Sequence, residues 1–167
     1  MNPKTSFIQK LINKITPASV TTYTRDEAPV QTTPSLDVAR FMAAIAANET
    51  GIVKGDPYQF AKHSGNKALG KDLGKYQVTE GTLKTYGPRF LGQPIDAKTF
   101  LASTTAQDNY IKNMADYYNK QGYTPQQIAD IHRRGYKKSG PAGSSQYQDP
   151  EYVNKFNTIY NATTTPQ

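Results

Sequence analysis

The chain has 167 residues, 36% of them apolar, with no cysteine and no tryptophan. That length supports one domain with a modest core, twelve Tyr and six Phe supplying much of its bulk, and the missing cysteines exclude a disulfide framework or a cysteine metal site. The net charge of +7 favours polyanionic partners, but the positive residues are scattered and no RNA-recognition or zinc-finger signature accompanies them. A nucleic-acid partner is therefore not expected.

In chain order, Phe7, Ile8, Leu11, Ile12 and Ile15 fall at helical spacing among Lys4, Lys10, Asn13 and Lys14. This predicts a basic amphipathic helix over residues 4–16 that lies on a membrane, docks on a partner, or packs on its own domain. Lys10 and Lys14 interrupt any signal-peptide apolar region, no small-residue cleavage site follows, and no run reaches the length of a membrane span. Pro17 to Pro34 is rich in Thr and Pro without periodicity, which predicts an extended linker. The expected organisation is thus an arm over 1–33, a domain over 34–161 and a loose tail over 162–167.

The domain opens with a helix entered at Thr33-Pro34-Ser35 and running to about Glu49. Residues 58–78 show no sustained helical period, and no strand of consequence is expected. A short helix is predicted over Thr79–Tyr86, stopped by Gly87-Pro88, and another over Ala97–Ala102. Thr104 with Gln107 reads as a capping box opening the longest helix, to about Gln121, with Tyr110, Ile111, Met114, Ala115 and Tyr118 on its apolar side and Gly122 as its stop. Thr124-Pro125 with Gln127 repeats the device for a helix ending near Arg134-Gly135. Asp149-Pro150 caps a last helix carrying Tyr152, Val153, Phe156, Ile159 and Tyr160. The expected fold is mainly α.

The chemistry centres on Glu49, at the end of the apolar run Phe41-Met42-Ala43-Ala44-Ile45-Ala46-Ala47. A carboxyl held in apolar surroundings favours its protonated form, as a general acid requires. About twenty residues on, a glycine-studded loop, Gly70-Lys71-Asp72-Leu73-Gly74-Lys75-Tyr76-Gln77, carries a Tyr and a Gln suited to a sugar-binding groove. Gly65 to Lys71 mimics a phosphate-binding loop, but Asp72 stands where Ser or Thr would hold magnesium and no apolar strand precedes it.

Glu49-Thr50 and Gly74-Lys75-Tyr76-Gln77 together resemble the Glu-Ser and Gly-Leu-Met-Gln motifs of the soluble lytic transglycosylase family, in the lysozyme-like superfamily. The family's Tyr-Asn-Ala-Gly has its counterpart in His132-Arg133-Arg134-Gly135, which keeps only the glycine, and Tyr152-Val153 looks like the Tyr-Val of its closing helix. The resemblance covers roughly residues 36–161 and implies a lysozyme-like domain whose partner is the peptidoglycan glycan strand. It implies that Glu49 protonates the glycosidic oxygen between N-acetylmuramic acid and N-acetylglucosamine. Glu49 then serves as base on the muramoyl 6-hydroxyl, closing a 1,6-anhydro ring, with no cofactor or metal.

Thr50 either orients Glu49 through its hydroxyl or packs the helix end. Gly74, Tyr76 and Gln77 would bind sugar, Tyr76 alternatively being core. His132 and Arg133 stand where the family has Tyr-Asn; they either contact Glu49, sugar, or the lactyl carboxylate or peptide stem, or are solvated. A hydrolytic lysozyme would need a second carboxylate, available at Asp56, Asp72 or Glu80. A further alternative is a non-catalytic structural or wall-binding virion protein. Without a signal peptide, a wall enzyme needs another route out, which points to a phage or similar delivery machine, with residues 4–16 contacting membrane or a virion protein.

Overall fold

A computed structural model of the chain describes residues 35–51, 55–63, 67–135 and 140–162. The helix expected over 4–16, the linker and the tail beyond Ala162 lie outside the described residues. Six α-helices and a small antiparallel sheet make up the described part: α1 (Val38–Thr50), β1 (Ala61–His63), β2 (Lys71–Leu73), β3 (Val78–Thr79), α2 (Glu80–Leu91), α3 (Ala97–Ala102), α4 (Thr104–Asn119), α5 (Pro125–Arg134) and α6 (Pro150–Ala162). The mainly helical expectation matches this; the expectation of no strands does not.

The sheet is short, with order β1-β2-β3, Ala61 opposite Leu73 and Leu73 opposite Val78. Strands of two or three residues are too brief to show alternation in sequence. They are held by their neighbours: Leu73 and Val78 are buried in the common core, and the turn between β2 and β3 is tied to α4. In that turn, Gly74 has φ +66° and Gln77 φ +52°. A Cβ on Gly74 would lie 1.9 Å from Gln107 Oε1. The buried Gln107 amide accepts from Lys75 N and donates to the carbonyls of Tyr58, Phe100 and Leu101.

That use of Gln107 corrects the expected capping box of α4. Ser103 is the N-cap, its hydroxyl accepting from Ala106 N, and tertiary partners claim the Gln107 side chain. Thr124 and Gln127 do form the reciprocal box at α5. In α1 the cap is Asp37, whose Oδ1 accepts from Arg40 N, so the helix starts later than Pro34-Ser35 implied. The expected stop at Gly87-Pro88 is also corrected, because α2 continues to Leu91. Pro88 lies on the exposed face, as does Lys84 one turn earlier, so water can satisfy the carbonyl that Pro88 leaves without an N–H. On the inner face, Phe90 stacks on Tyr86 and meets Tyr110 edge-on, ring centroids 5.3 Å apart.

The core is one cluster. Phe41, Ala44 and Ile45 of α1 meet Phe156 and Tyr160 of α6, and Phe41 and Phe156 rings lie 5.5 Å apart. The α4 residues named from periodicity are all buried. Each such aromatic ring taken wholly from water contributes roughly 1.5–3 kcal/mol. Helix α1 packs on α4 and α6, and α5 packs on α4 and α6. This arrangement brings the C-terminal ends of α1 and α5, the β2–β3 turn and the start of α6 to one place.

Candidate active site

Glu49 stands in the last turn of α1. Phe41, Ala44, Ile45 and Asn48 bury one side of that helix, and Gly51, with φ +59°, donates to Ala47 O and ends it. The Glu49 side chain is only 8% exposed. Its Oε1 accepts from the Tyr152 hydroxyl at 2.8 Å and faces His132 Nε2 at 3.6 Å. Oε2 has no partner among the described residues. The carboxyl group is therefore anchored through one oxygen, with the other left to the cavity.

Tyr152, the anchor, and His132, its neighbour, are themselves shielded from water. Burial, then the charge and hydrogen bond of Glu49, push the Tyr152 phenol well above its ordinary pKa, so it stays protonated and donates. Burial lowers the His132 pKa, outweighing the Glu49 charge and the contact with Tyr76 O that favour the imidazolium. His132 Nε2 lies 2.9 Å from Tyr76 O. A carbonyl can only accept, which assigns the proton of a neutral ring to Nε2.

Second contacts hold these groups in place. Asn48 Nδ2 donates to Tyr152 O and Lys155 Nζ donates to Asn48 O, lacing α1 to α6. The wholly buried Asp130 of α5 accepts from Gln148 N and Asp149 N. Asp149 Oδ1 in turn accepts from Tyr152 N. Burial raises the Asp149 pKa, but that bond and the Arg134 and Arg133 charges outweigh it and hold the carboxyl below its ordinary range.

A cavity of about 560 Å³ opens beside Glu49. Its lining includes the polar residues Glu49, Asp72, Gln77, Thr79, His132 and Arg133 and the apolar residues Tyr86, Phe90, Tyr110, Met114, Tyr118 and Ile131. Of the residues singled out from sequence, Glu49, Gln77, His132 and Arg133 line it together. Gln77 is buried, donates through Nε2 to Gly74 O, and leaves Oε1 without a partner. Such an orphaned acceptor suits an N–H or O–H from an occupant.

Thr50, Gly74 and Tyr76 do not line the cavity. Thr50 Oγ1 donates to Ala46 O at 2.7 Å, within its own helix. Gly74 is the close-approach residue of the turn. The Tyr76 ring is core, 1% exposed, with its hydroxyl donating to Asp108 Oδ1 at 2.7 Å. Tyr76 contributes to the site through its carbonyl instead. Among the second carboxylates, Asp56 caps a short turn by accepting from Tyr58 N, Glu80 accepts from Lys71 N, and Asp72 alone shares the cavity with Glu49.

Sequence reasoning misses Tyr152 as a site residue and offers Asp72 only as one of three possible second carboxylates. Tyr152 reads as a packing residue of the last helix, and its seat opposite Glu49 depends on how α6 docks on α1. Asp72 reads as a turn residue, and only its position in a strand turns it into the cavity. Among the described residues, no group of three or more His, Cys, Asp or Glu is placed to hold a metal ion, and no helix is long and apolar enough to cross a membrane. No family model, curated protein or solved structure matches the chain.

Proposed function

We propose that this chain is a lysozyme-like, peptidoglycan-cleaving lytic transglycosylase with Glu49 as its acid and base. The observation that carries the reading is the Glu49 carboxyl, buried at a cavity wall, with Oε1 held by the Tyr152 hydroxyl and Oε2 unpartnered among the described residues. A general acid needs one oxygen free to reach the leaving group and a fixed orientation for it. In the proposed reaction Glu49 gives its proton to the glycosidic oxygen as the C1–O bond breaks. The resulting carboxylate takes the proton of the muramoyl 6-hydroxyl as that oxygen bonds to C1. Tyr152 keeps Glu49 in place through both steps, with the His132 ring packed beside it, and Gln77 Oε1 accepts from a sugar hydroxyl or acetamido N–H.

A second reading, hydrolysis, is favoured by Asp72, which lines the same cavity and could activate a water or act as nucleophile. Mass spectrometry of wall digests separates the two, since an anhydro end is lighter than a reducing end by one water. Anhydro products support the transglycosylase. Reducing ends alone, abolished by Asp72→Asn, would move the protein to the hydrolases. Absence of any cleavage by the folded protein would leave a non-catalytic wall-binding or structural protein.

A further inference from the structure

Arg133 differs from every other cation at the cavity. Among the described residues the lining holds two arginines, Arg133 and Arg134, and the imidazole of His132, whose pKa burial lowers. Arg134 is committed: its Nη2 lies 2.8 Å from Asp149 Oδ2. Arg133 reaches the same oxygen only through Nε at 3.6 Å, beyond hydrogen-bond range. Its two terminal nitrogens have no partner among the described residues. Asp149 does not need Arg133, because Arg134 and Tyr152 N already satisfy it. The Arg133 side chain is 47% exposed, and its guanidinium sits 5.5 Å over the Tyr152 ring. A group bound by Arg133 is therefore placed beside the tyrosine that holds Glu49.

We propose that Arg133 recognises a carboxylate of the substrate. This rests on the glycan-strand reading and assigns part of its specificity. A guanidinium with both terminal nitrogens available fits a carboxylate in a two-point contact. Glu49 and Asp72 line the same cavity, so one cation with open terminal nitrogens in a cavity with two carboxyl groups suits a singly charged anion better than a phosphate. Muramoyl residues offer that chemistry from two sources: the lactyl carboxylate when the sugar is bare, and the acid groups of the peptide stem when it is substituted.

The test is affinity, read by calorimetry or NMR titration on the full chain. The disaccharide N-acetylglucosaminyl-N-acetylmuramic acid lacks the bond to be cleaved, so it stays intact. It is compared with its lactyl methyl ester, and the same disaccharide carrying an L-Ala-D-Glu stem is compared with its fully amidated form. Neutral chitobiose is the reference. One acid is expected to bind more tightly than its neutral partner, by up to about fivefold, as an ion pair at a half-exposed site allows, and the pair that shows it identifies the source. Arg133→Gln should bring that acid and its neutral partner to equal affinity. If neither pair shows a preference, or if the preference survives Arg133→Gln, the proposal is overturned while binding of the neutral sugars keeps the glycan reading. If no sugar binds, both fall together.

Discussion

Tyr152→Phe is the sharpest perturbation of the site, because it deletes one oxygen and leaves the ring beneath Arg133. The lost contact is the 2.8 Å bond to Glu49 Oε1. What remains on that oxygen is His132 Nε2 at 3.6 Å, too far to replace it. A hydrogen bond to a charged group contributes about 1.5–3 kcal/mol. Loss of that amount from the transition state corresponds to roughly 10- to 150-fold in rate. The expected outcome is a fall in kcat within that range for release of soluble muropeptides from purified wall, with the melting midpoint lowered by the equivalent of about 1 kcal/mol. Since His132 faces the same oxygen, Tyr152→Phe with His132→Gln should lose less than the product of the two single losses. A folded Tyr152→Phe protein that digests wall at the parent rate would refute the claim that α6 orients the acid.

Glu49→Gln keeps the size and the fold but cannot give up a proton, so wall clearance should drop at least ~100-fold with an unchanged circular dichroism melt; parent-like clearance would remove Glu49 from the mechanism. Gly74→Ala forces a side chain at φ +66° and into the Gln107 amide, which should cost about 2–5 kcal/mol, measured by denaturant unfolding, independently of any ligand. His132 has a folded pKa below its unfolded value because burial disfavours the charged ring. Its contribution to stability is therefore complete above the unfolded pKa near ~6.5 and is lost as pH falls toward the folded value. His132→Gln should lose less stability than the parent between about pH 7 and pH 5; equal losses in thermal melts would show that the imidazole is not held neutral.

Local chemistry was legible wherever neighbours in sequence decide the outcome. The heptad-like run from Tyr110 to Tyr118, the Thr124/Gln127 box and the Asp149-Pro150 start of the last helix are settled within one or two turns of backbone, and α4, α5 and α6 follow them. Glu49 was legible for the same reason, as a carboxyl ending an apolar stripe. The sheet, the run of α2 through Pro88 and the diversion of Gln107 from its cap were not, because each depends on a partner far along the chain: Leu73 and Val78 on the core, Phe90 on Tyr110, Gln107 on Tyr58 and Lys75. The site divides along that line. Sequence alone determined that an acid, a glycine turn and a His-Arg pair are present. Only tertiary packing decided that Tyr76 turns inward and lends its carbonyl, that Asp72 enters the cavity, and that a tyrosine 103 positions away holds the acid. Hydrogen bonds of that span form only after helices dock, and the docking energy comes from apolar faces that carry no mark of which polar atoms they will bring together.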